Sequence, residues 1–374
     1  MAYKKIFAAL GIVVVIAAIA FAFVRRAPAG EKPVIRIVQM LPLSGDMAVF
    51  GTVARDVSEM FLADWRAANP NAKYNYEIIY EDIQMSPAMA ATAMRRLTSG
   101  GGRVDATFTV LSGAALAISP IAEEKKIIQV SWTSDPRTGV GEYNFRMVSD
   151  WNVAMRKLIA KLVADGHRKV AVVAAGDAGS QAFVPIFIEE LGKQDVLRLA
   201  GSPHTVNPDE RNFGILLQRI KSEGADSIVL QALSPISDIF ITQARRANLG
   251  ITITGYQSIG AIADKKITEG MWGYDDAKPD HEFSERVNAI TGKQGTYYSE
   301  YVYAMLQVLV GAFELAGEEG RRPNPALVAK SMPLAARGTE SPFGRLRALD
   351  DGTILLPEPT LQKIVGGKSI TVKE

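Results

Sequence analysis

"DATFTVLSGAALAISPIAEEKKIIQVSWTSDP", residues Asp105 to Pro136, holds two short apolar runs on either side of an alanine-rich stretch. "DATFTVL" and "IIQVSW" have the length and the β-branched and aromatic content of buried strands, and "GAALAISPIAEEKK" between them reads as a helix. Both strands run into hydroxyl residues. Ser112 follows the first, and Ser131, Thr133 and Ser134 surround the end of the second. Polar side chains placed twice where a buried strand gives way to a turn ask for a reason beyond packing.

The same alternation extends in both directions. Upstream, "PVIRIVQMLPLSG" is a strand ending in a Pro and Gly turn, and "DMAVFGTVARDVSEMFLADWRAANP" is a helix. Val53, Val57, Met60, Phe61 and Trp65 recur there at three- and four-residue spacing, and Asn69-Pro70 stops the helix. "NYEIIYED" is the next strand, and the helix after it has Ser86 as N-cap, Pro87 in its first turn and the glycines of "SGGGR" as its stop. Downstream, the helix "DWNVAMRKLIAKLVADG" leads into a second series: "HRKVAVVAAGD", "VLRLAGSPH", "ADSIVLQAL" and "ITITGYQ" as strands with helices between them. Strands that alternate with helices build a parallel sheet covered on both faces, and two series build two such lobes. Residues 278–320 then read as two helices, and "DDGTILLPEPTLQKIVGGKSITVKE" as short strands of antiparallel character.

Composition narrows the class of function. The chain has 374 residues, 48% of them apolar and 22% charged, and its 42 basic and 40 acidic residues are interspersed to a net charge of +2. Two globular units fit this length, and no basic stripe points to nucleic acid. The absence of cysteine removes disulfides, thiolate metal sites and cysteine nucleophiles together. At the N-terminus, Lys4 and Lys5 precede an uncharged apolar run from Ile6 to Val24, with Arg25 and Arg26 after it. That run exceeds the roughly 7–15 residues of a signal-peptide core and approaches the roughly 20 that cross a bilayer. Residues 1–29 are therefore expected to be either a cleaved signal peptide or a retained membrane anchor, with the body outside the cytoplasm.

No catalytic constellation stands out. His167, His204 and His281 are scattered beside turns and helix ends, which suits a solvated surface, and no metal, phosphate-loop or nucleophile-elbow motif occurs. The chain is read as a non-enzyme without a cofactor. What recurs is a strand end, a small or polar turn and a helix start: Pro42 to Asp46, Leu111 to Ala114, Ala175 to Ser180 and Gly255 to Gly260. Ligands of open parallel sheets bind outside these carboxyl ends, where helix N-termini leave N–H groups unpaired.

In "IRIVQMLPLSGDMAVFG", "YEDIQMSPAMAATAMRRL", the Ser-Gly turn of the opening stretch, "YNFRMVSD" and "YYSEYVYAMLQVLVGAFELAG", the sequence resembles the type I periplasmic solute-binding proteins of the branched-chain amino acid (Leu/Ile/Val) class over residues 34–370. The resemblance implies a clamshell of two parallel-sheet lobes joined by three hinge crossovers. Lobe one would comprise residues 33–152 plus 280–352, and lobe two residues 153–279 plus 353–374. It further implies capture of a small solute (an amino acid, an amide or a carboxylate-bearing metabolite) for an inner-membrane ABC permease; the alternative on the same fold is a ligand-sensing receptor. Ser112, with backbone N–H groups around Gly113 and Ala114, matches the positions that receive a ligand carboxylate. Trp132, Thr133 and Ser134 match the second turn, and Phe50 matches an aromatic of the first-turn wall. Two positions depart from the family pattern. Gln257, beside Tyr256, stands where the amino-acid binders carry a glutamate for the ammonium, and Gly179 stands where they often carry an aromatic. Either Asp177 replaces that glutamate or the solute lacks an ammonium. Arg146 is expected to pair structurally near the hinge.

Overall fold

The computed structural model describes residues 32–373 except 46, 208, 258, 260, 261, 263, 264 and 293–299. The expected signal or anchor segment lies outside the described residues. Among the described residues no helix is long and apolar enough to cross a membrane.

The first half lays down β1 (Val34–Leu41), α1 (Ala48–Ala68), β2 (Asn75–Asp82), α2 (Pro87–Thr98), β3 (Ala106–Thr109), α3 (Ser112–Lys125), β4 (Ile128–Trp132) and β5 (Asn144–Val148). Ser86 caps α2 by accepting a hydrogen bond from the Met89 N–H at 3.3 Å, with Pro87 in the first turn. Asn69 closes α1 by donating Nδ2 to the Trp65 carbonyl at 3.0 Å. Gly51 is required where α1 crosses the first turn, because a Cβ there would lie 2.1 Å from the Pro42 carbonyl oxygen. The second half continues with α4 (Trp151–Ala164), β6 (Lys169–Ala175), α5 (Ala178–Leu191), β7 (Arg198–Leu199), β8 (His204–Val206), α6 (Gly214–Ser222), β9 (Ser227–Gln231), α7 (Ile236–Ala247), β10 (Thr252–Thr254) and β11 (Trp272–Asp275).

Helices α8 (His281–Thr291), α9 (Tyr301–Ala316) and α10 (Pro325–Gly338) come next, followed by β12 (Glu340–Ser341), β13 (Gly344–Arg345), β14 (Arg347–Ala348), β15 (Ile354–Leu355), β16 (Thr360–Val365) and β17 (Lys368–Thr371). The first sheet runs β14-β15-β5-β4-β3-β1-β2, parallel except at its β14 edge. In the second, β10, β9 and β6 are parallel neighbours, and β7 and β8 pair with successive parts of β6. Each sheet is covered on both faces, as near-continuous apolar strands require. Residues of α1, α9 and α10 join one face of the first sheet and those of α2 and α3 the other; α6 and α7 cover one face of the second sheet, and α4 and α5 its opposite face.

The C-terminal strands divide differently from the sequence expectation. Ile354 and Leu355 pair in parallel with Met147 and Val148, and the Leu356 N–H reaches the Val148 carbonyl at 3.0 Å. Ile354 and Leu356 thus join the first core, past the residue 352 at which the sequence reading changed lobes. Two apolar residues flanked by charged and turn residues carry no mark of which sheet they enter. The expected antiparallel character holds for β16 and β17, which form a hairpin against β11, and for β15 only where it meets β14. The chain passes between the sheets three times: after β5, after β11 and after β15.

Candidate functional site

The register of β3 and β4 explains the paired hydroxyl turns. Thr109 lies opposite Ser131, so the residues three places beyond each strand position, Ser112 and Ser134, emerge side by side with their Oγ atoms 3.4 Å apart. Arg146 on β5 fixes the second turn by donating Nη1 to the Ser134 carbonyl at 3.0 Å, a structural pairing of the kind expected for it. The first turn of α3 has no side-chain cap at Leu111, so the peptide N–H groups that open it are left without a capping partner.

Across from this floor, α5 brings its own first turn. The Ser134 hydroxyl donates to the Gly179 carbonyl at 3.0 Å, so the two lobes touch here. A Cβ on Gly179 would stand 3.1 Å from Ser134 Oγ, 3.2 Å from Asp177 Oδ1 and 3.3 Å from Ser112 Oγ. The closeness of the lobes therefore leaves no room for the aromatic expected in amino-acid binders.

Between the lobes is a cavity of about 80 Å³, lined by Ser112, Trp132, Thr133, Ser134, Asp177, Gly179 and Gln257 among the residues expected from sequence. Trp132 has two roles at once: it lines this cavity, and it stacks on Tyr301 at 5.3 Å with the rings 12° apart. Asp177 is exposed and caps α5, one carboxylate oxygen accepting the Ser180 N–H at 2.9 Å. Gly113 and Ala114 are in the first turn of α3 behind Ser112 and do not line the cavity. Phe50 does not line it either: it packs half-buried against the first core, because its turn is drawn toward β2 by the Leu43 N–H and Ser44 hydroxyl bonding Asp82 at 2.9 and 2.5 Å. Tyr256 is wholly buried, edge-on to Trp151, with its hydroxyl donating to Asp276.

Several lining residues escaped the sequence reading: Val148, Trp151, Gln231 and Leu233, whereas Ser180 closes the Ala175 to Ser180 turn expected to face a ligand. Gln231 was legible in principle, being the last residue of a wholly buried strand with Ser234-Pro235 three places beyond it, the offset at which Ser112 follows Thr109. Asp276 was hidden in "YDDAKPD", which reads as solvated loop. It is fully buried, and burial, then the neighbouring Asp275 charge, pushes its carboxyl up to about 6. Burial similarly raises Glu300 to about 7, with Lys278 opposing. Among the described residues no cluster of His, Cys, Asp and Glu suits a metal ion.

The sequence matches the family model described as periplasmic binding protein over residues 34–355. The chain belongs to the periplasmic binding protein family. No curated protein matches the sequence. Among solved structures, this periplasmic binding protein is similar to a leucine binding protein from Thermotoga maritima, with a TM-score of 0.78, 18% identity and coverage of 91% of this chain and 98% of that one. It is also similar to the solute binding protein of an ABC transporter from R. palustris in complex with benzoate (TM-score 0.74, 18% identity, 91% and 95% covered). A third likeness is to an ABC transporter substrate-binding protein from Desulfitobacterium hafniense in complex with Leu (TM-score 0.73, 16% identity, 91% and 100% covered). At these identities the likeness is one of fold: the type I clamshell of two parallel-sheet lobes.

Proposed function

We propose that this periplasmic binding protein captures a small solute between its lobes outside the cytoplasm and hands the closed form to an inner-membrane ABC permease. The observation that carries this reading is the cavity itself, assembled from the carboxyl ends of strands in both sheets. Its lining offers hydroxyls, amides, indoles and one carboxylate, a set that binds and orients a solute without making or breaking a bond. The acidic end of the solute meets Ser112 and the start of α3, and Trp132 offers a flat apolar wall to its body. A ligand that touches both lobes binds the closed form more tightly than the open one, and that difference shifts the hinge equilibrium. Lobe one would take residues 33–152 and 280–356, and lobe two residues 153–279 and 357–374. Residues 6–24 would hold the protein at the membrane where they are not cleaved.

Thermal-shift screening of residues 30–374 against amino acids, amides and organic acids tests this, because a ligand of the native state alone raises the melting temperature by mass action. A hit is expected to lose most of its shift in both Ser112→Ala and Trp132→Ala. An unchanged shift in both variants would place the solute elsewhere.

A further inference from the structure

We propose that Asp276 positions Gln257 as a hydrogen-bond acceptor in the cleft, and that lobe two thereby selects a solute presenting a hydrogen-bond donor, an amide or hydroxyl hydrogen or an ammonium. The solute class rests on the capture reading above; the positioning of Gln257 does not.

Gln257 is an unusual residue for its place. It has φ +62°, a left-handed conformation costing a non-glycine side chain on the order of 1 kcal/mol, yet it is only 6% exposed. Three bonds hold it there: its own N–H to the Tyr274 carbonyl at 2.8 Å, the Tyr274 N–H to the Gly255 carbonyl at 3.0 Å, and its Nε2 to Asp276 Oδ2 at 2.9 Å. The last decides the chemistry. A carboxylate accepts and never donates while ionised, so the amide must turn its NH₂ toward Asp276. The other oxygen of Asp276 is taken by the Tyr256 hydroxyl, which remains protonated because burial and then the Asp276 charge push it well above its ordinary value. Gln257 Oε1 accepts from no group among the described residues, and the residue lines the cavity.

A second observation at the same wall points to a ligand. Gln231 is 5% exposed, lines the same cavity, and has a buried amide oxygen without a hydrogen-bond partner among the described residues. Buried amides without partners are costly, so the site is incomplete as protein alone. Among the described residues none that lines the cavity is basic, and the one ionisable side chain is Asp177. A carboxylate directed at this wall would face Gln257 Oε1 and Asp177 with no positive group among the described lining residues to meet it. A donor would satisfy Gln257 Oε1 and Gln231 Oε1, and the indole N–H of Trp151, a lining residue also without a partner among the described residues, would take an acceptor on the same solute.

Two measurements test the proposal. In ligand-free protein, the Gln257 side-chain amide resonances, assigned by their loss in Gln257→Ala, are expected to titrate with a midpoint near 6, the value at which Asp276 gains its proton, and to stop titrating in Asp276→Asn. The groups facing Asp276 are Asp275, Lys278, Tyr256 and Tyr301, with Glu300 near Lys278. The Glu300→Gln variant separates their influence, because it is expected to leave that midpoint in place. A pH-independent amide, or one still titrating in Asp276→Asn, overturns the positioning role. For the solute class, calorimetric titration compares L-leucine with 4-methylpentanoate and 4-hydroxybenzoate with benzoate, pairs that keep the carboxylate and differ in the donor. The donor-bearing member of the bound pair is expected to bind at least tenfold more tightly, with the ratio falling toward one in Asp276→Asn. Comparable or tighter binding of the donorless member overturns the class. L-leucine against 4-hydroxybenzoate separates an ammonium from a hydroxyl as the donor. Because the amide titration needs no ligand, failure of the capture reading and failure of Asp276 positioning give different results.

Discussion

At Gly179 a single hydrogen atom decides how closely two lobes approach. The Ser134 hydroxyl bonds the Gly179 carbonyl, and a methyl group there would press on Ser134 Oγ and Ser112 Oγ from 3.1 and 3.3 Å. Contacts that short must be relieved by rotating the hydroxyls or parting the lobes. Gly179 is also the second residue of α5, where alanine favours the helix by about 0.5–1 kcal/mol. Gly179→Ala is therefore expected to match or slightly exceed the parent in urea stability while binding its solute several-fold more weakly. A variant that lost stability and affinity together would instead mean that Gly179 serves the interior of lobe two. The cavity-lining residues readable in sequence are those whose position follows from a local turn, such as Ser112 and Ser134. Asp276 was not readable, because its importance comes from its burial and leaves no local trace.

Elements were legible to the extent that their signals are local. The βα alternation, the Ser86 cap and the glycine stop after α2 all act within a few residues, and each is present as read. The β3 to β4 register, which sets Ser112 beside Ser134, is a consequence of pairing that periodicity alone does not contain. Strand β15 shows the limit most clearly. Its two residues offer no pattern, yet Ile354 is fully buried in the first core and paired with Met147. Truncating such a side chain removes its transfer energy and leaves a cavity, for about 2–4 kcal/mol. Ile354→Ala is expected to lower unfolding stability by that amount in urea titration. A loss below about 0.5 kcal/mol would mean that β15 is a passive crossing, not a working edge of the first sheet.

For the molecule as a whole, the crossing after β11 concentrates buried acid where the two lobes meet. Asp275 is balanced by Lys278 at 2.6 Å, but Asp276 and Glu300 are raised to about 6 and about 7, chiefly by burial. The folded protein keeps these two protons to a higher pH than the unfolded chain does, so their ionisation subtracts stability as pH rises from about 4 to 7 and subtracts no more above that. Other carboxyls act in the opposite sense. For Asp82, Asp135 and Asp226, burial alone would raise the carboxyl, but hydrogen bonds outweigh it and hold each below its ordinary value, so their contribution is lost as pH falls below about 4. The molecule is thus expected to be most stable in the mildly acidic range and to decline toward neutrality. Glu300→Gln isolates one term. At pH 8 the parent holds a buried charge that glutamine lacks, so the variant is expected to gain about 2 kcal/mol in urea unfolding. At pH 4 both side chains are neutral and the two proteins should agree. A gain of equal size at both pH values would trace to packing, and no gain at pH 8 would mean that Lys278 compensates the Glu300 charge in full.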